Sequence, residues 1–189
     1  MKVIGFNASP RKNGNTAWVI NKILENVHEK GIEIQSWNFS DLNIKPCQGC
    51  LGCHKDGGHG CVINDDMQKL YRELESTEVL ILGTPVYMGQ MTAQAKTFID
   101  RLFAQISPRF SPYYKEKKNK VKLILVFTQG NPDPCKFQVY FEYLKQMFQL
   151  LEFDVKEIIV VTGTRTEAAN EQKELQKKLE NMDLLFLTN

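Results

Sequence analysis

Val3-Ile4-Gly5-Phe6, followed closely by Ser9-Pro10-Arg11-Lys12-Asn13-Gly14-Asn15-Thr16, is the stretch on which the reading of the whole chain turns. The apolar run reads as a buried strand. Beyond Thr16, the residues Ala17, Ile20, Ile23, Leu24 and Val27 recur at helical spacing, so the polar residues between form a strand-to-helix turn. Such a turn leaves the first N–H groups of the helix unpaired, and these, with the positive end of the helix dipole, favour an anion. Ser9 and Thr16 add hydroxyl donors, Asn13 and Asn15 add amide donors, and Arg11 grips phosphate through a planar fork. Gly14 lets the backbone approach closely. The stretch therefore reads as a phosphate cradle. The plainer alternative is a polar loop with a helix cap, and the convergence of six suitable groups in one strand–turn–helix context favours the cradle.

Two better-known cradles are absent. No G-x-G-x-x-G follows the first strand, which argues against a dinucleotide site, and no G-x-x-x-x-G-K-[ST] occurs, which argues against a nucleoside-triphosphate loop. The expected anion is a single phosphate on a small cofactor.

Composition bounds the rest. A chain of 189 residues suits one domain, residues 1–189, with a sizeable core. Hydrophobic residues at 42% and charged residues at 24% are an ordinary soluble balance. A formal net charge of +2 points to neither nucleic acid nor membrane as a partner. No apolar run approaches the length of a membrane helix. The first residues enter a strand without a basic, apolar signal segment, so the expected location is cytoplasmic. Five cysteines, four of them clustered, do not resemble a secreted disulfide framework.

The chain continues as alternating elements. Gly31 reads as a helix stop, and Ile32–Trp37 alternates like an edge strand. Cys47–Asp65 is a loop rich in glycine and cysteine. Asp65 with Gln68 resembles a capping box for a helix over Asp66–Ser76. Val79–Leu82 is a strand buried on both faces. The loop Thr84–Gln90 follows, and then a helix marked by Met91, Ala95, Phe98 and Leu102. Residues 105–120 form a basic, aromatic insertion, read either as a solvated loop or as a cover for the cofactor or a neighbouring subunit. Val121–Phe127 is a strand, Phe137–Leu150 a helix, Val155–Val161 the last strand and Thr166–Leu185 the last helix. This alternation implies a parallel sheet covered on both faces, with ligands beyond the carboxyl ends of the strands. Three loops then converge: Ser9–Thr16, Thr84–Gly89 and Thr128–Asn131, the last supplying Thr128 and Gly130.

The second loop suits a flat ring. Pro85 fixes its own φ and restricts Thr84, Gly89 permits a tight bend, and backbone groups from Val86 to Gly89 can read the edge of a heteroaromatic ring while Tyr87 or Met88 packs on it. The alternative is a connecting loop whose Tyr87 covers the core.

Ser-Pro-Arg-x-x-Gly-Asn-Thr after the first strand, Thr-Pro-Val-Tyr-Met-Gly after the third, and Lys96 with Asp100-Arg101 on the next helix resemble the NADPH-dependent FMN reductase-like group of flavodoxin-fold proteins. The segment Pro46-Cys47-Gln48-Gly49-Cys50-Leu51-Gly52-Cys53, with Cys61 and Asp65-Asp66-Met67, resembles the iron–sulfur flavoproteins within that group. Specific motifs cover about the first 105 residues. The resemblance implies a three-layer αβα sandwich with a five-stranded parallel sheet of order 2-1-3-4-5, FMN as cofactor, and a homodimer or homotetramer. It also implies that Ser9, Arg11, Asn15 and Thr16 hold the FMN phosphate, and that Pro85, Val86, Tyr87, Met88 and Gly89 line the isoalloxazine.

The cysteines carry a separate question. Cys47, Cys50, Cys53 and Cys61 can point four thiolates at one centre, which suits a [4Fe–4S] cluster or structural zinc. His54 and His59 are either alternative zinc ligands or solvated loop residues. The other reading is a set of reduced thiols beside the flavin. Cys135, far along the chain, reads as a small, partly buried packing residue.

Three functions are compatible with these features. The first is an FMN oxidoreductase that takes a hydride from NAD(P)H and passes electrons to a small-molecule or protein acceptor. The flavin does the chemistry there, so no classical catalytic residue is named. The second is a flavodoxin-like electron carrier without its own substrate. Such carriers dock through strongly acidic surfaces, and 24 basic against 22 acidic side chains disfavour that reading. The third is a redox-sensing or metal-binding module built on the cysteine loop.

Overall fold

The computed structural model describes residues 1–55, 60–105 and 120–182. Five strands form one wholly parallel sheet: β1 (Lys2–Asn7), β2 (Glu33–Asn38), β3 (Val79–Pro85), β4 (Lys122–Thr128) and β5 (Asp154–Val161), in the order β2-β1-β3-β4-β5. The helices are α1 (Asn15–His28), α2 (Met67–Glu75), α3 (Ala93–Arg101), α4 (Gln138–Leu150) and α5 (Lys173–Glu180). This is the flavodoxin-like sandwich expected from the sequence, with β2 at an edge.

The unbroken apolar runs of β1, β3 and β4 follow from burial on both faces. Successive side chains alternate between two cores. Ile4, Phe6, Leu80, Leu82, Leu125 and Phe127 join residues of α2, α3 and α4 on one side. Val3, Val79, Ile81, Ile124 and Val126 meet α1 and α5 on the other. Phe6, Phe39 and Phe98 form a ring cluster with centroids 5.2–5.4 Å apart.

Bare glycines seat α1 on the sheet. A Cβ on Gly83 would lie 2.6 Å from Ile20 Cδ1 and 2.8 Å from Thr16 Cγ2, and one on Gly5 would lie 2.6 Å from Ile20 Cγ2. Gly83→Ala is therefore expected to lift the first turn of α1 and cost about 1–3 kcal/mol by overpacking. Urea unfolding checks this, and a change below about 0.5 kcal/mol would show that α1 yields freely.

Some expectations need correction. The last helix was expected from Thr166, yet α5 begins at Lys173. Residues 162–172 instead bond locally: Thr166 Oγ1 donates to the Gly163 carbonyl, Gln172 Nε2 donates to the carbonyls of Thr162 and Glu167, and Glu171 accepts from the Ala168 N–H. Such side-chain bonds compete with the helical ladder. The capping box is only half present. Asp65 Oδ1 accepts from the Met67 N–H at 3.1 Å, but Gln68 Nε2 turns to the carbonyls of Cys61 and Ile63, each at 2.8 Å. Cys135 is exposed rather than packed. The insertion at residues 105–120 falls almost wholly outside the described residues, as do Gly57, Gly58 and His59.

Candidate functional site

The turn after β1 is wound by its own side chains. Asn7 Oδ1 accepts from the Ser9 N–H at 3.1 Å, and Ser9 Oγ accepts from the Arg11 N–H at 3.0 Å. That leaves the Ser9 hydroxyl hydrogen free to donate outward. Gly14 precedes α1 in extended conformation, without a side-chain cap. Among the described residues, no acceptor meets the N–H groups of Asn15, Thr16 and Ala17. These are the unpaired donors on which the cradle reading depends. Lys12 pairs with Asp41 and turns away. Arg11 has no such partner among the described residues and lines the cleft.

A cleft of about 540 Å³ opens above the carboxyl ends of the strands. Ser9, Arg11, Asn13, Asn15, Thr16, Pro85, Val86, Tyr87, Thr128 and Gly130 all line it, as do Gly14 and Trp18. Among the described residues, no aspartate or glutamate does. Thr16 Oγ1 and Thr128 Oγ1 lie 2.7 Å apart, both buried, and join the turn after β1 to the end of β4.

The loop after β3 differs in detail from the expectation. The Val86 N–H donates to the Thr128 carbonyl at 2.8 Å, and Tyr87 and Gln90 exchange backbone bonds at 2.8 and 3.0 Å. Two of the donors expected to read a ring are thus spent on the loop itself. Met88 (φ +49) and Gly89 (φ +80) form the tip of a tight turn, and both lie outside the cleft lining. Met88 is 100% exposed and Tyr87 45%. A methionine in the left-handed region stores strain of the kind found at binding loops.

Sequence reasoning missed a fourth wall. Thr164, Arg165, Ala168 and Asn170, in the segment after β5, also line the cleft. The rule that ligands bind at strand carboxyl ends applies to β5 as well, but a helix assigned from Thr166 concealed the loop. Asn15 Oδ1 accepts from the Ala169 N–H at 2.8 Å and fastens that loop to the start of α1.

The cysteine loop, between β2 and α2, is anchored on the end of α3. Arg101 and Asp65 form a buried, two-pronged ion pair at 2.7 and 3.1 Å, with side chains 0% and 1% exposed. Arg101 also donates to the Lys45 carbonyl at 2.8 Å, and Asp65 accepts from the Lys45 N–H at 2.8 Å. Both ends of the loop are thereby joined to α3. Burial pushes the Asp65 carboxyl up, but the bonds from Arg101 and Lys45 outweigh it and hold the group below the usual carboxylate range. His54 Nε2 lies 3.1 Å from the Phe103 carbonyl, so His54 is committed to the protein rather than solvated.

The arms of the loop approach closely, since a Cβ on Gly52 would sit 2.9 Å from Val62 Cγ2 and 3.5 Å from Cys50 Sγ. Cys47 and Cys50 are exposed, while Cys53 and Cys61 are half-buried. Burial, followed by the proximity of Cys61, Cys47 and Cys50, pushes the Cys53 thiol up. Four thiols share this one loop. Among the described residues, no three such groups are already arranged around one point.

Among the described residues, no helix is long and apolar enough to cross a membrane. Similarity to known proteins agrees with this architecture. Over 101 residues the chain is 39% identical to an iron–sulfur flavoprotein of Methanocaldococcus jannaschii, covering 53% of this chain and 51% of that protein. The chain spans about half the length of the curated relatives it matches at this level. It is 24% identical over 166 residues, 87% of each chain, to a Bacillus subtilis protein named provisionally as an NAD(P)H-dependent FMN-containing oxidoreductase. In fold it is similar to an FMN-dependent NADH-azoreductase of Bacillus anthracis solved with FMN, with a TM-score of 0.67 and 16% identity over 95% of this chain and 96% of that one. The NADPH-dependent FMN reductase profile matches residues 1–132, the part that carries the turn after β1, the cysteine loop and the loop after β3, and the chain belongs to that family.

Proposed function

We propose that this chain is an FMN-dependent NAD(P)H oxidoreductase that passes electrons to a small-molecule or protein acceptor. The observation that carries the reading is the cleft: the start of α1 with its unpaired amides, Arg11 and the hydroxyl residues Ser9 and Thr16 line one space that, among the described residues, no carboxylate lines. In this reading Ser9, Arg11, Asn13, Asn15 and Thr16 hold the phosphate. Pro85, Val86 and Tyr87 would hold the ring, Thr128 and Gly130 would complete the cleft beside them, and Met88 and Gly89 would border the ring from the loop tip. When bound, FMN supplies hydride acceptance and electron transfer. The protein's part is to bind and to orient, with half-exposed Tyr87 on the open side of the cleft. The near balance of 24 basic and 22 acidic side chains favours an enzyme over an acidic docking carrier.

The curated relatives named iron–sulfur flavoproteins support a second cofactor on Cys47, Cys50, Cys53 and Cys61, with [4Fe–4S] as the fitting cluster. Its place after β2 would allow electrons to pass between it and the flavin.

Fluorescence titration tests the cradle. FMN is expected to bind much more tightly than riboflavin, which lacks the phosphate. Arg11→Ala is expected to remove about 1–3 kcal/mol of FMN affinity by deleting a charge-assisted contact. Equal affinities for the two flavins in the unaltered protein would remove the assignment.

A further inference from the structure

We infer that Arg165 is a second cation for the phosphate held at the start of α1, delivered by the loop after β5; this rests on the cradle reading above. The first observation is placement. Residues 162–172 are held by backbone bonds from Gly163 to the Asn131 carbonyl at 3.0 Å and from Thr164 to the Gln129 carbonyl at 3.1 Å. They are held again where Asn15 Oδ1 accepts from the Ala169 N–H at 2.8 Å. That last bond is made by the first residue of α1, the helix whose free amides form the anion site.

The second observation is the path of the side chain. A Cβ on Gly130 would lie 2.6 Å from Arg165 Cγ and 2.8 Å from both Cδ and Nε. Arg165 therefore crosses a backbone left bare at Gly130 and enters the cleft from the β4 side. A Cβ at Gly130 would have to shift the Arg165 side chain from this path.

The third is charge. Among the described residues, Arg11 and Arg165 are the arginines that line the cleft, no carboxylate lines it, and neither arginine has an ion-pair partner. A phosphate monoester carries about −1.5 to −2 charges at pH 7, with its second proton leaving near pH 6. One guanidinium and a helix end of about half a positive charge leave part of that uncompensated. A second guanidinium completes it. The side of the sheet also matters. α1 and α5 share one core, so the loop between β5 and α5 lies beside the start of α1. The tip of the ring loop instead faces α4, where Phe137 lies 3.5 Å from a Cβ built on Gly89. Arg165 thus serves the phosphate end of the cleft.

The test compares Arg165→Ala, Arg165→Lys and Gly130→Ala in titrations with FMN and with riboflavin, from pH 5 to 8, alongside the KM for NADPH. Arg165→Ala is expected to weaken FMN about 10- to 100-fold and leave riboflavin within about twofold. Arg165→Lys is expected to recover part of the loss, and Gly130→Ala to reproduce it. The rise in FMN affinity as the phosphate loses its second proton is expected to flatten in Arg165→Ala. Equal losses for both flavins would overturn the inference, since Arg165 would then act on the ring or on loop folding. Unchanged FMN affinity with only a raised KM for NADPH would also overturn it, by assigning Arg165 to the nucleotide's phosphates. If the unaltered protein bound both flavins equally, the cradle reading and this inference would fall together. Preserved FMN selectivity in Arg165→Ala would remove the inference alone.

Discussion

Arg101→Met is expected to cost about 3–5 kcal/mol of folding stability, the usual result of leaving one partner of a buried ion pair unpaired. Asp65 would keep its carboxylate 1% exposed with its strongest donor gone, and the Lys45 carbonyl would lose its bond at 2.8 Å. Asp65→Asn added to Arg101→Met removes the stranded charge while keeping an acceptor oxygen for one of the two N–H groups, that of Lys45 or that of Met67. The double variant is expected to recover about half of the loss or more. The pH dependence has a definite sign. The Asp65 carboxyl is held below its ordinary range, so its contribution is present above the unfolded value of about 3.9 and is lost as pH falls through the lowered value. The acid limb of the stability curve should therefore weaken in Arg101→Met. Urea unfolding from pH 3 to 7 measures both effects. A loss below about 1 kcal/mol would mean that water reaches Asp65 and the pair is not effectively buried.

This pair also marks where the sequence was and was not legible. Apolar continuity in Val79–Leu82 and helical spacing from Ala17 to Val27 are local signals, so strands and helices could be read directly. The turn Ser9–Thr16 was legible because its donors lie within one short segment. Arg101 could be noted as part of a motif, but its partnership with Asp65 and Lys45 joins residues far apart in sequence, and no spacing reveals such a bond. The same holds for the cleft. Its fourth wall depends on Asn15 reaching Ala169 and on Arg165 crossing Gly130. The polar residues of 162–172 can serve a helix or a bonded loop, and only the packed fold decides between them. At Val86 and Tyr87 the limit was different. Their amides suited a ring edge by type, but the fold had already paired them with Thr128 and Gln90.

The largest compositional effect is expected at the cysteine loop, where Cys47→Ser should abolish iron binding while leaving FMN in place. The phosphate and ring loops follow β1 and β3, whereas the cysteines lie in the segment between β2 and α2, so the two sites can fail separately. The loop is held in specific ways. Arg101 joins both of its ends, Gly52 brings its arms together, and Cys53 feels the other three thiols. The Cys53 thiol, pushed up by burial and by its neighbours, is costly to ionise in place, and a bound metal or cluster would relieve that cost because it takes thiolates. Protein made and reconstituted without oxygen should carry about four irons per chain and absorb broadly at roughly 400 nm. Cys47→Ser should lose the iron and the band yet retain the flavin spectrum and its FMN affinity. Thiol labelling supplies a readout independent of any loaded centre. In the iron-loaded protein Cys50, Cys53 and Cys61 should be protected from alkylation, and in Cys47→Ser they should react freely, with exposed Cys135 reactive in both. Zinc at the expected position of iron would keep the protection without the visible band. Flavin-loaded protein that takes up neither metal, with all its cysteines alkylated at similar rates, would reduce the loop to free thiols and leave the oxidoreductase reading resting on the flavin cleft alone.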